Sequence, residues 1–228
     1  MRDNQTNSRT VRVERQQTTS RGKLKRKQIL DAAAKVLARR GYASTMLSEI
    51  AEEAGTQPGS LYYHFDSREE LIEEVLRQGV SAAFKRTRGV VNRLPAESRA
   101  RDRLEAALRA HLKYQLVESD YARAAVRSIG HYPEDMWARV NQKFRAYGKF
   151  FDGLIAVAMK EGEIDAEVDR SALRMLILGA ANWAPEWYHR DGSSSVEKIA
   201  DLLVRLVFEG VGTGAPAKEL RASRRATG

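Results

Sequence analysis

The chain has 228 residues, 43% hydrophobic and 30% charged, enough apolar material for the core of one or two domains and too much for a tail-like polymer. It contains no cysteine, which excludes disulfides, thiolate metal sites and cysteine nucleophiles. The formal charge of +9 sits at the ends: residues 1–28 carry nine Lys/Arg against Asp3 and Glu14, and residues 215–228 carry four against Glu219, so the body between is close to neutral.

Five prolines among abundant Leu, Ala, Arg and Glu point to an all-α fold. The amino terminus has no apolar run of the kind a secretory signal needs, and the most apolar stretch, "LRMLILGAANWA", carries Arg174 and is too short to span a bilayer. A cytoplasmic protein with no membrane partner is expected. Residues 1–22 lack an apolar face and read as a disordered basic arm, and residues 213–228 as a basic tail. Such ends suit either a polyanionic partner or solubility.

From Leu24 the spacing of Ile29, Ala33, Val36 and Leu37 predicts a first helix, stopped by Gly41 as its C′ residue. A short second helix follows, with Thr45 as N-cap and Gly55 at its end. A small residue at Ala51 and a glycine four positions later fit two helices in close approach joined by a positive-φ turn. Pro58 suits the first position of a third helix running to about His64. At 100° per residue Leu61 and Phe65 lie ~40° apart and point inward. Tyr63 then faces outward, flanked by Gly59 and Ser60, with Tyr62 and His64 at the edges. A ridge of small residues bordered by hydroxyl and imidazole groups can enter a DNA major groove and grip phosphates on either side.

Ser67 and Glu70 form a capping-box pattern that starts a fourth helix, striped by Leu71, Ile72, Val75, Leu76 and Gly79. Pro95 marks the next boundary. Further helices are predicted at about 99–118, 121–130, 134–161, 169–184 and 194–209, the last bearing Val196, Ile199, Leu202, Leu203, Leu206 and Val207. The resulting division is an arm at 1–22, a three-helix reader at 23–66, a connecting helix at 67–94, a larger helical domain at 95–212 and a tail at 213–228.

The run from Lys25 to Leu76, and "GSLYYHF" followed by a Ser-capped helix above all, resembles the DNA-binding domain of the TetR family of bacterial transcriptional regulators. The resemblance implies a homodimer joined through its last two helices, an amino-terminal helix-turn-helix that binds a double-stranded DNA operator, and a carboxyl-terminal bundle that binds a small-molecule effector. It implies DNA contacts at Thr45, Ser48, Thr56, Gln57, Gly59, Ser60, Tyr62, Tyr63 and His64, and a phosphate contact at Arg68. Met46 stands where the family often has threonine, and Ser48 where some members carry arginine. "NWAPEWYHRDG", residues 182–192, is similar to regulators of fatty-acid and steroid catabolism, several of which answer to acyl-CoA thioesters.

Phe144, Tyr147, Phe151, Trp183, Trp187 and Tyr188, with Phe150, fit either the lining of an effector cavity or plain core and dimer interface. Arg123, Arg127 and Lys143 are candidate cations for a charged effector. The four histidines show no ligand spacing, so neither metal nor cofactor is expected. Two other classes remain open on the residues alone. A helical enzyme would need working carboxylates, for which Glu118 with Asp120 or Glu186 near His189 are the nearest offers. An architectural DNA-coating protein would bind without sequence preference and with strong salt sensitivity.

Overall fold

In the computed structural model the backbone is described for residues 4–210 except 128, 190 and 193, and side chains from Ser20 onward. The described residues form nine α-helices and one π-helical turn, with no strand. They are α1 (Asn4–Ser44), α2 (Leu47–Glu53), α3 (Pro58–Tyr62), α4 (Arg68–Val91), α5 (Ala100–Lys113), the π turn (Tyr114–Glu118), α6 (Asp120–Arg127), α7 (Glu134–Lys160), α8 (Arg170–Trp187) and α9 (Val196–Phe208).

Residues 4–22, expected to be disordered, instead continue α1 toward the amino terminus. An existing helix adds one hydrogen bond per residue ordered, and Arg, Gln and Glu are good helix formers, so extension needs no apolar face of its own. The predicted tail at 213–228 lies outside the described residues. Ile29, Ala33, Val36 and Leu37 are buried as their spacing requires. Gly41, at φ 74°, breaks the regular helix where a C′ glycine was expected.

Thr45 is not the cap of α2. That position belongs to Met46, while the Thr45 hydroxyl donates to the Gly41 carbonyl at 2.7 Å. The hydroxyl thus satisfies an orphan carbonyl at the end of α1 instead of an N–H at the start of α2. Gly55, at φ 57°, turns the chain, and the Thr56 N–H donates to the Ala51 carbonyl at 2.9 Å to close the turn. The third helix is shorter than predicted, because the N–H groups of His64 and Phe65 both converge on the Leu61 carbonyl at 2.9 Å.

The Ser67 hydroxyl accepts the Glu70 N–H at 3.0 Å and caps α4. The Glu70 carboxylate accepts from the Asp66 N–H at 2.6 Å, one residue before the cap itself. Leu71, Ile72, Val75, Leu76 and Gly79 are all buried. A Cβ on Gly79 would lie 2.2 Å from the Tyr121 carbonyl oxygen, so only glycine permits the approach of α4 to α6. Helix α4 packs on α1, α5, α6 and α7 and so belongs to both the reader and the body. One continuous apolar core runs from Ile29 to Val204.

Helices α8 and α9 bury Ile177, Ala181, Leu203 and Val204 but leave Met175, Leu176, Trp183, Trp187, Leu202 and Leu206 exposed. Met175 and Trp183 border a cavity enclosed by α4 to α8, and Leu176, Trp187, Leu202 and Leu206 form an outward apolar stripe that exceeds what an isolated surface needs.

Candidate functional site: an exposed ridge and an apolar cavity

Leu61 and Phe65 anchor α3 in the core, and Tyr62 and Tyr63 stand outside it, 60% and 86% exposed. Gln57, Gly59 and Ser48 are exposed too, whereas Thr56, Ser60 and His64 are half-buried. The rings of Tyr63 and His64 meet edge to face with centroids 5.1 Å apart. The ridge is braced from behind by α1: Gln28 donates to the Ala54 carbonyl at 2.8 Å, and Lys35 and Arg39 pair with Glu53 at 3.3 and 2.8 Å. The hydrogen bond from Arg39 leads in holding the Glu53 carboxyl below its usual pKa, with Lys35 adding to it.

Two sequence assignments fail here. Thr45 is 1% exposed, so its side chain cannot reach a phosphate. The Arg68 guanidinium is spent inside the protein: Nε donates to the Thr45 carbonyl at 2.8 Å, Nη2 to the Tyr42 carbonyl, and Nη1 pairs with Glu69 at 2.9 Å. Its plane lies 4.5 Å from the centroid of the Tyr42 ring. A basic residue at the start of a helix cannot be told from a phosphate ligand in sequence, because the carbonyls it serves come from elements 23 and 26 residues away.

The second feature is a cavity of about 510 Å³ between α4, α5, α6, α7 and α8. Of the aromatic candidates, Phe144, Tyr147 and Trp183 line it. Phe151, Trp187 and Tyr188 do not: Phe151 is core beside His111 and Tyr147, Trp187 is on the outer surface, and Tyr188 packs on the core beyond α8. Of the candidate cations only Arg127 lines the cavity, and it is paired with Glu186 at 3.2 Å. Arg123 is tied to Asp120, and Lys143 points to solvent. Arg145 and Arg174 line the cavity in their place.

A polar chain crosses one wall. The Thr87 hydroxyl is 2.7 Å from the Tyr147 hydroxyl, which is 2.9 Å from His111 Nδ1. His111 Nε2 lies 3.2 Å from Asn182 Oδ1, and Gln115 Nε2 donates to the same oxygen at 2.7 Å. Because Asn182 Oδ1 can only accept, Nε2 carries the imidazole proton, Nδ1 accepts from Tyr147, and Tyr147 accepts from Thr87. Burial holds the His111 pKa down to about 4, partly offset by the bond to Asn182, and burial raises that of Tyr147. His111 is therefore neutral at pH 7. In the sequence His111 and Gln115 are marked only as polar residues beside the apolar stripe Leu104, Leu108, Leu112, Leu116.

Helix α6 supplies Ala122, Ala125 and Val126 to the cavity. On its other side it packs on α1 and α4, and the Tyr121 hydroxyl donates to Asp31 Oδ1 at 2.9 Å. The carboxylates considered for catalysis are held in ion pairs: Glu118 with Arg86 at 2.7 Å, Asp120 with Arg123, and Glu186 with Arg127. Among the described residues no helix is long and apolar enough to cross a membrane.

The pattern "Tetracyclin repressor-like, C-terminal domain" matches residues 97–211, and "Bacterial regulatory proteins, tetR family" matches residues 29–75. The chain belongs to the TetR family. Its α2–α3 unit is the helix-turn-helix of a TetR-family DNA-binding regulator, and α5–α9 form the family's carboxyl-terminal helical domain. A TetR-family relative, the HTH-type transcriptional repressor KstR2 of Rhodococcus jostii (strain RHA1), is 28% identical over 82% of this chain and 91% of its own. The crystal structure of AibR in complex with isovaleryl coenzyme A and operator DNA matches with a TM-score of 0.73 at 23% identity, over 81% of this chain and 98% of that one. The FadR of Bacillus subtilis in complex with stearoyl-CoA matches with a TM-score of 0.66 at 20% identity, over 81% and 98%. At those identities the two structures establish the shared fold.

Proposed function

We propose that this TetR-family protein is a cytoplasmic homodimeric repressor, released from a palindromic operator by an acyl-CoA thioester, and that it is not an enzyme. The observation that carries the reading is the position of α6, which lines the apolar cavity with one face and bears on α1 and α4 with the other. An acyl chain among Phe144, Trp183, Ala122 and Ala125 presses on α6. Tyr121, against Gly79 and bonded to Asp31, passes that displacement to α4 and α1. Arg68 ties the start of α4 to the reader.

DNA is read by Ser48, Gln57, Gly59, Ser60, Tyr62, Tyr63 and His64, with the Thr56 hydroxyl beside them. Two copies joined through the exposed stripe of α8 and α9 place two α3 helices in successive major grooves, ~34–36 Å apart. A small rotation of each reader breaks that spacing. Switching from mostly bound to mostly free requires about 5.5 kcal/mol of differential effector affinity. The ligands carried by AibR and FadR in their structures support the effector class, and the ion-paired state of Glu118, Asp120 and Glu186 supports a binding site without turnover.

A gel shift with the DNA upstream of the protein's own gene tests this, repeated with acyl-CoAs from butyryl to stearoyl. Retardation that disappears with one chain-length range is expected. Retardation indifferent to every acyl-CoA removes the effector assignment, and consumption of the thioester without any retardation removes the repressor.

A further inference from the structure

The cavity does not close on its own side of α7. Arg145 and Arg174 line it and also line a neighbouring surface groove with Lys149, Arg170, Asp152 and Asp169. Arg145 and Lys149 are four apart on α7, and Arg170 and Arg174 are four apart on α8, so each helix presents two cations on one face toward the other. Asp152 answers two of them, lying 3.2 Å from Arg170 and 3.8 Å from Arg174. Asp169 is committed to its own helix, accepting the Ser171 and Ala172 N–H groups at 2.8 and 3.0 Å. Arg145 and Lys149 make no ion pair among the described residues. Like charges four apart on a helix repel, and no such pair offsets the repulsion between these two.

Arg174 belongs to both spaces and passes beside Gly148. A Cβ at position 148 would lie 2.9 Å from Arg174 Nη1, so the absence of a side chain there lets Arg174 lie across α7 between cavity and groove. The same arginine thereby borders the apolar cavity on one side and the polar surface groove on the other.

Building on the acyl-CoA reading, we propose that this groove is the phosphate-binding half of a two-part effector site. Arg145 and Lys149 grip the phosphates of the nucleotide end, Arg174 spans the junction, and the acyl chain fills the cavity. The effector is thus recognised as an amphiphile with a polyanionic head, and a free acyl group of the same length is a weak ligand. The α6 cations Arg123 and Arg127 are already committed, since they hold Asp120 and Glu186.

The test compares two ligands that share an acyl chain, octanoyl-CoA and S-octanoyl-pantetheine, titrated calorimetrically into the full chain, into Arg145→Ala/Lys149→Ala and into Arg145→Lys. Wild-type protein is expected to favour octanoyl-CoA by at least about tenfold, the worth of one charge-assisted hydrogen bond. The double variant should bring the ratio toward one, and Arg145→Lys should retain most of it. Both altered side chains are exposed, and each variant serves as its own control because the readout is a ratio. Equal affinity of the wild type for the two ligands, or an unchanged ratio in the double variant, overturns the phosphate groove and leaves the acyl cavity standing. Failure of the wild type to bind either ligand overturns both.

Discussion

Arg68, the first residue of α4, donates from Nε to the Thr45 carbonyl oxygen at 2.8 Å and stacks on the ring of Tyr42. One side chain thus joins the helix that reaches the body to the corner between α1 and α2. Replacing it with alanine removes the side-chain donor from the Thr45 and Tyr42 carbonyls, the second of which still accepts the Thr45 N–H at 3.4 Å. Arg68→Ala is expected to lower the melting temperature and to weaken operator binding by about tenfold or more, in line with the loss of charge-assisted hydrogen bonds. Arg68→Lys should restore little, because an ammonium cannot bridge two carbonyls and stack at once. A variant with full operator affinity and a native melting temperature would remove this joint from the signalling route.

Tyr63 and Leu61 separate reading from folding within α3. Tyr63→Phe deletes a hydroxyl that is free in solvent, so it should cost about 0.5–1.5 kcal/mol of operator binding and leave thermal unfolding unchanged. Leu61→Ala opens a cavity beneath the helix and should cost about 2–5 kcal/mol of stability. Equal losses of melting temperature in the two variants would contradict the outward placement of Tyr63.

Gly79 tests the route from cavity to reader. Gly79→Ala drives a methyl group against the Tyr121 carbonyl and forces α4 from α6, an overpacking expected to cost about 1–3 kcal/mol. Denaturant unfolding measures the cost, and the acyl-CoA concentration for half-release of DNA measures the coupling. A shifted half-release concentration is expected; an unaltered unfolding midpoint would mean the two helices are not in firm contact.

His111 gives the body a pH dependence of known sign. Its pKa is held down to about 4 by burial, against an unfolded value near 6.5. Between these values the unfolded chain binds a proton that the folded chain refuses, so stability rises with pH across this window and is lost as pH falls through it. The slope is about 1.4 kcal/mol per pH unit. His111→Gln should flatten the profile between about pH 6 and 4. Equal slopes in the two proteins would show that another group governs acid unfolding.

Sequence alone placed the start of α4 and the order of helices in the reader, though not the extension of α1 over residues 4–22 or the cap of α2. Leu61 and Phe65 one helical turn apart, glycines at the stops and Ser67 before Glu70 are local signals, set by backbone conformation and the period of the helix, and they are legible without knowing what packs where. What the chain brings together from afar was decided by the tertiary structure. Arg68 reads as a phosphate ligand until the carbonyls of Tyr42 and Thr45 arrive beside it, and Phe151 reads equally as cavity lining or core until His111 and Tyr147 close over it. The polar chain at the cavity draws Thr87, His111, Gln115, Tyr147 and Asn182 from α4, α5, the π turn, α7 and α8. A polar side chain's partners depend on which helices become neighbours, and nothing within a turn or two of its own position specifies that.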